Sequence, residues 1–200
     1  MTDLCKCLGR STYEELSEHM ISRKGSHDEV WNNDDKISIY YYTGDNYSYV
    51  NEALRNSPTE IFQKEGSKTK NVADFISDAL SKAVVYNCEK VYRWENDFHM
   101  DINSIKKGSI IKYSAFVSTS IDPDFNFYNS KPRKLTISTP CGVYIAEYSQ
   151  SFEEKELLID KGCSFIVDEV DSELNTISLR QLNARDIVDI GSKYLKGEVA

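Results

Sequence analysis

Two hydrophobic rhythms divide the chain. Up to about Val84 the apolar residues recur at helical spacing. Val72, Phe75, Ile76, Ala79, Leu80 and Ala83 form one stripe of a helix for which Asn71 is the expected cap. Tyr49, Val50, Ala53 and Leu54 predict another, capped by Asp45 or Asn46, running through Arg55 and ended by Ser57-Pro58. Ser11-Thr12-Tyr13-Glu14 reads as a capping box that opens a helix to about Ser22. Gly25 to Asp35 is a polar connector, and Ile37–Tyr42 fits either a strand or the approach to the next helix. Beyond Val84 short β-type runs take over: Lys90–Trp94, Ile110–Val117, Lys134–Ser138, Val143–Tyr148, Glu156–Ile159, Ser164–Val170 and Thr176–Leu182. Turn signals such as Asp122-Pro123, Pro140-Cys141-Gly142 and Lys161-Gly162 separate them. Helices first and strands afterwards predict an α+β domain whose sheet is built from the C-terminal half.

Composition narrows this picture. The 200 residues suffice for one domain with a real core and a small helical extension. We expect residues 1–36 to form that extension, 37–190 the main domain and 191–200 a tail. A net charge of −8 is poorly suited to holding nucleic acid by phosphate neutralisation, so stable binding to it is not expected. The five cysteines and three histidines show no metal-ligand spacing, and reduced thiols fit a cytoplasmic setting. With neither a signal-like N-terminus nor a long apolar run, no membrane association is expected.

The stretch Ser151–Gly162 carries the most suggestive chemistry. In an extended strand Glu154 and Glu156 would share one face, a few ångströms apart. Like charges so close are costly unless a cation, a proton or a substrate lies between them. Alone, the pair also fits a solvated turn before a core strand. Arg93, near the end of an apolar strand, is either a surface ion-pairing residue or a phosphate clamp, since its planar fork matches phosphate oxygens in pairs. Ser118-Thr119-Ser120 is either a plain strand end or a set of hydroxyls that hold a ribose and orient a carboxylate. Phe125, Phe127 and Tyr128 in the following loop either enter the core or stack on a flat heterocycle.

In this order the pieces resemble a known family. Tyr42-Thr43 with Tyr47, Asn51, Leu54 and Arg55 resembles the helix signature of the mono-ADP-ribosyltransferases of the arginine-serine-glutamate class. Val91-Tyr92-Arg93 is similar to that family's strand arginine, and Phe116-Val117-Ser118-Thr119-Ser120 to its aromatic-x-Ser-Thr-Ser strand. Pro140-Cys141-Gly142 through Ala146 resembles a further turn and strand, and Glu154-Lys155-Glu156-Leu157-Leu158-Ile159 the Glu-x-Glu element. The resemblance covers roughly residues 37–170. Three departures touch the loops: Trp94 stands where many members have Gly, Phe152 precedes Glu154 by two residues, and the step from Ser120 to Phe127 is compact.

The resemblance implies a split β-sandwich of two small antiparallel sheets with N-terminal helices, and cleavage of the nicotinamide–ribose bond of NAD. It implies that Glu156 favours the oxocarbenium charge on the ribose, as in glycoside cleavage. Arg93 would hold the NAD phosphates, and Ser118 would orient Glu156. Thr119 and Ser120 would shape the strand end, and Trp94 would edge the nicotinamide pocket. Phe127, or else Phe125, would cover the nicotinamide, and Arg133 would add a second phosphate contact. Glu154 would bind and deprotonate an arginine acceptor, with Phe152 and Glu153 of the preceding loop supplying acceptor contacts. Relatives with Gln at that position tend toward other acceptors. The implied reaction is ADP-ribosylation of a protein arginine with NAD as co-substrate and no metal. The setting resembles bacteriophage enzymes that modify host proteins such as transcription or translation machinery, or a catalytic toxin fragment. Other readings are an NAD glycohydrolase, a nucleic-acid-directed transferase, or a non-enzymatic binding module with the same fold.

Overall fold

The computed structural model describes residues 1–55, 63–96, 102–125 and 131–188, with side chains throughout except at 63–70. Five helices come first: α1 (Asp3–Leu8), α2 (Arg10–Ile21), α3 (Asn33–Tyr41), α4 (Tyr47–Arg55) and α5 (Gln63–Lys82). Eight strands follow: β1 (Lys90–Glu95), β2 (Ile110–Lys112), β3 (Val117–Ser120), β4 (Arg133–Ser138), β5 (Gly142–Tyr144), β6 (Glu156–Ile159), β7 (Ser164–Asp171) and β8 (Thr176–Gln181).

Local chemistry sets the helix starts, not always where expected. The Ser11–Glu14 box does not form. Gly9, with φ of 85°, links α1 directly to α2, so the helix begins at Arg10 and Ser11 already lies inside it. Glu14 instead accepts from Arg10 Nε at 2.7 Å. The reciprocal cap belongs to α3: Asp35 N donates to Asn32 Oδ1 at 3.0 Å and Asn32 N to Asp35 Oδ2 at 2.9 Å. Ile37–Tyr42 is therefore helical where it begins, and Ile37, Ser38, Ile39 and Tyr40 are all buried. A helix buried on every side shows no amphipathic stripe, which is why the run also reads as a strand. Asn71 lies inside α5 and does not cap it. The expected stop at Ser57-Pro58 lies outside the described residues.

The sheet order is β2-β7-β8-β4-β1-β3-β6-β5. It narrows sharply in the middle. Strand β1 pairs with β4 from Lys90↔Ser138 to Glu95↔Arg133, but with β3 only at Tyr92↔Ser120. The ladder is thus a five-strand half and a three-strand half sutured at one point, which is the split sandwich in its connected form. Within it β4 and β8 run parallel; the other pairs are antiparallel.

Two buried clusters hold the domain together, one between the halves and one between the three-strand half and the helices. Val91, Leu135, Ile137, Leu179 and Phe165 of the five-strand half meet Val117, Leu157 and Ile159 of the three-strand half. On the outer face of the three-strand half, Leu158, Val143 and Ile145 pack against Ile37, Ile39, Val50 and Ile76 of the helices. Leu4, Met20 and Trp31 enter this second core, and Trp31 Nε1 donates to the Ala79 carbonyl at 2.7 Å. Strand β6 serves both cores by alternation, with Leu157 and Ile159 facing one and Leu158 the other.

Two expected strands are shorter than their apolar runs. Ile110–Val117 divides: β2 pairs with β7, Tyr113 N then bonds to the Cys163 carbonyl, and Val117 opens β3 in the other half. Val143–Tyr148 leaves the strand at Tyr144 and closes in a 3-10 turn over Ala146–Tyr148. Among the described residues, no helix is long and apolar enough to cross a membrane.

Candidate active site

A cleft of about 580 Å³ opens at the suture, walled by β1, β3 and α4 and by the turn that leads into β6. Three adjacent strands deliver Arg93, Ser118 and Glu156 to it. The register makes this possible: Ser120 faces both Tyr92 of β1 and Glu156 of β6.

Arg93 is fixed before any ligand arrives. Its Nη1 donates to the Ser118 carbonyl at 2.8 Å, and its Nε lies 3.3 Å from Glu95 Oε2. Glu95 is only 2% exposed and also accepts from Tyr113 Oη, at 3.1 Å to Oε2. Burial works against the Arg93 charge, but Glu95 and neighbouring phenols outweigh it, and the guanidinium stays more basic than usual. Burial likewise pushes the Tyr113 phenol up, with Glu95 adding to the effect.

Glu156 is 4% exposed at the start of β6. Burial pushes its carboxyl up to about 7; the Ser118 hydroxyl pulls the other way, Glu154 adds repulsion, and Arg93 favours the anion. Glu154 also sits above its ordinary range, chiefly through burial, with Ser151 and Lys131 pulling down and Glu153 pushing up. The two carboxylates do meet in the cleft, but not by strand alternation. Glu154 ends a 3-10 turn over Phe152–Glu154, and Lys155 takes a left-handed conformation with φ of 46° before β6 begins. A non-glycine residue in that region stores strain, a recurrent mark of sites where geometry is over-determined.

The other expected residues divide. Trp94 lines the cleft, and Lys134 Nζ lies 5.2 Å from its ring centroid. Thr119 Oγ1 donates to the Leu157 carbonyl at 2.7 Å, and Ser120 Oγ accepts from Asp122 N at 3.0 Å, so both hydroxyls hold the strand end. Phe125 lines the cleft; Phe127 lies outside the described residues. Phe152, 58% exposed, and Glu153 stand on the turn outside the lining. Arg133 requires correction. It is 1% exposed, its Nε donates to Asn175 Oδ1 at 3.2 Å, and it does not line the cleft. As the first residue of β4, in an alternating buried pattern, it points inward, opposite Glu95 in register.

The cleft also contains groups not anticipated as site residues. Arg55 and Lys131 bring positive charge, each less basic than usual because of burial and of Arg93 nearby. Tyr42 is buried beside Glu156, which together with burial pushes its phenol up. Asn51 Nδ2 donates to Tyr42 Oη at 3.0 Å, while its Oδ1, in a residue 5% exposed, has no donor among the described residues. A buried acceptor left open on a cleft wall is costly unless a ligand supplies a proton. Tyr42, Asn51 and Arg55 all belong to the helix signature, so the signal was present. Glu95 could have been found from strand alternation, two residues beyond Arg93. Nothing in the local pattern marks Lys131.

These walls suit a ligand with anionic and polyol parts: three cations, an orphaned acceptor on α4, and the carboxylates of Glu154 and Glu156 face one cleft. The model of the ADP-ribosyltransferase exoenzyme family matches residues 6–189.

The chain belongs to this ADP-ribosyltransferase family.

Enzymes of this kind use NAD as co-substrate, and exoenzyme S of Pseudomonas aeruginosa is known bound to carba-NAD. Solved structures carry the same fold. Vis toxin from Vibrio splendidus superposes with a TM-score of 0.67 at 19% identity, over 88% of this chain and 85% of its own. The eukaryotic mono-ADP-ribosyltransferase ART2.2 gives 0.66 at 20% identity, over 90% and 84%. The C3 exoenzyme of Clostridium limosum gives 0.62 at 13% identity, over 92% and 96%. No curated protein sequence matches the chain.

Proposed function

We propose that this ADP-ribosyltransferase is of the arginine-serine-glutamate class and transfers ADP-ribose from NAD to arginine side chains of a protein, releasing nicotinamide. The observation that carries the reading is the meeting of Glu154 and Glu156 in one cleft with Arg93 and Ser118.

Each residue has a task the geometry permits. Arg93, fixed by Glu95 and the Ser118 carbonyl, takes the diphosphate together with Arg55 and Lys131. The open Oδ1 of Asn51 accepts from a ribose hydroxyl or a carboxamide, the donors such a dinucleotide carries. The Ser118 hydroxyl bonds the Glu156 carboxyl and favours its anion against the opposing effect of burial. That anion, in a dry pocket, favours the positive charge that develops on the ribose as nicotinamide leaves.

Glu154 faces the acceptor. A guanidinium is a poor nucleophile while protonated, and a carboxylate of raised pKa both binds it and takes a proton from it. The similar Vis fold is known in complex with agmatine, a small guanidine, which supports a guanidine acceptor here.

Incubation with labelled NAD and either agmatine or a cell lysate tests the reading. We expect label on agmatine and on one or a few proteins, in a bond cleaved by neutral hydroxylamine. Glu154→Gln should lose this transfer and keep part of the NAD cleavage. Nicotinamide release without label transfer would instead make the protein an NAD glycohydrolase, and neither signal would leave a binding module.

A further inference from the structure

The turn that brings Glu154 to the cleft has little backbone support of its own. Glu154 N reaches the Ser151 carbonyl at 3.1 Å and Lys155 N the Phe152 carbonyl at 3.1 Å, and these bonds stay within the turn. The turn is fastened from outside at both ends: behind it Ile121 N donates to the Lys155 carbonyl at 3.2 Å and Lys155 Nζ to Asp122 Oδ2 at 2.7 Å, and ahead of it the bonds gather one step upstream. Gln150 N donates to Thr43 Oγ1 at 3.0 Å, and Gln150 Nε2 donates to the Tyr40 carbonyl at 3.0 Å. Thr43 Oγ1 itself donates to the Tyr40 carbonyl at 3.1 Å, so three residues close one small ring of bonds. Beside it, the Arg23 guanidinium donates to the Ser149 carbonyl and lies 4.8 Å from the Tyr40 ring centroid.

Gly44 makes room for this fastening. A Cβ there would come 2.7 Å from Gln150 Cδ and closer still to its Nε2. Its φ of −90° is open to any residue, so what matters at this position is size. Here the helical path from α3 to α4 breaks, and a Tyr40 carbonyl accepts from side chains.

We propose that Gln150, seated against Gly44, is the positioning residue for the acceptor step: it registers the turn so that Glu154 stands beside Glu156. The proposal rests on Glu154 being the acceptor carboxylate. Glu156 does not depend on the same fastening. Its strand is held by β3 on one side and β5 on the other, through Ser120↔Glu156 and Tyr144↔Leu157. Loosening Gln150 therefore separates the two halves of the reaction.

The test compares Gln150→Ala, Gly44→Ala and Glu154→Gln with the wild type in two assays. One is nicotinamide release from NAD without acceptor; the other is transfer to agmatine, with kcat and KM for each. Gln150 is exposed, so its truncation leaves the core intact. Transfer to agmatine should fall about 10-fold to 100-fold in Gln150→Ala and Gly44→Ala, the cost of a misplaced group. Nicotinamide release and the KM for NAD should stay within about 2-fold, a split that general loosening of the fold would not produce. Unchanged transfer in Gln150→Ala, or release falling in step with transfer, overturns the proposal. Glu154→Gln tells the two failures apart. If it transfers at the wild-type rate, the acceptor reading itself is wrong and the proposal falls with it. If it loses transfer while Gln150→Ala keeps it, only the role of Gln150 is wrong.

Discussion

The two walls of the cleft are built differently. The wall that carries Arg93 and Ser118 is strand, and its key side chain is held by a buried carboxylate, a carbonyl and, behind them, a phenol. The wall that carries Glu154 is a 3-10 turn followed by a left-handed lysine, held upstream through Gln150 against the helical layer and downstream by Ile121 and Asp122 just beyond β3. The first wall is set by its strands and by the buried pairing of Arg93 with Glu95 and the Ser118 carbonyl. The second can be loosened at its upstream end, through Gln150, without touching the first. That division suits a transferase, whose first substrate is fixed and whose second varies.

The contrast can be broken most severely at Glu156, which belongs to both walls. Glu156→Gln should lower NAD cleavage and transfer alike by about 10²-fold or more, as expected when a charge aimed at the transition state is removed. The same variant should be more stable than the wild type above neutrality. The Glu156 pKa of about 7 in the folded protein lies above its unfolded value. Its contribution is therefore fully present below the unfolded pKa and is lost as pH rises through about 7. Chemical denaturation across pH 4 to 9 checks this, with a gain on the order of 3 kcal/mol for Glu156→Gln at the alkaline end.

Next in size comes Arg93. Arg93→Ala should raise the KM for NAD at least about 10-fold, the loss of a charge-assisted phosphate contact. The same truncation takes the Arg93 guanidinium from the buried Glu95 and leaves it the Tyr113 hydroxyl, so Arg93→Ala should also destabilise by about 3 kcal/mol, read from the denaturation midpoint. A normal KM in folded Arg93→Ala would remove this wall from NAD binding.

The pH profile sharpens the comparison further. On the proposed role of Glu156 as an anion, kcat/KM should climb with pH up to an inflection near 7. Glu154→Gln removes one source of repulsion, so the inflection for NAD cleavage should move to lower pH. An inflection that stays in place would mean that the two carboxylates do not sense each other. At the small end stands Ser11→Ala, far from either wall. Since Ser11 caps nothing, its loss should change stability by less than about 0.5 kcal/mol, within the range of ordinary surface changes.

The same contrast governs what could be read in the chain. The first wall was legible because strands repeat every second residue: Arg93, Ser118 and Glu156 sit on short apolar runs whose pairing partners are also apolar runs. Order in sequence then became neighbourhood in the ladder. The second wall was legible only in its residues. That Glu154 reaches the cleft through a left-handed Lys155 has no local mark, since nothing in that residue favours φ of 46°. Arg133 failed for a different reason: it shares the sheet face of Arg93 and Glu95 but stands one strand farther from the suture, on β4, where Asn175 holds it in the interior. Asn51 was legible only as a member of the helix signature; its unmet oxygen, which gives it a task, shows in the structure alone. Ile37–Tyr42 fits helix and strand equally because burial on every side erases the period that separates the two.

The narrow pairing at Tyr92↔Ser120 has a mechanical consequence. Where two broad panels share a single stitch, whatever bridges the seam does more than fill a hole. Arg93 belongs to one panel and Glu156 to the other, so a molecule gripping both works as a second stitch. The amides on either side of the seam should then exchange with solvent more slowly once the cleft is filled, and the panels should come apart later on heating. In this protein the first substrate is also part of the sewing.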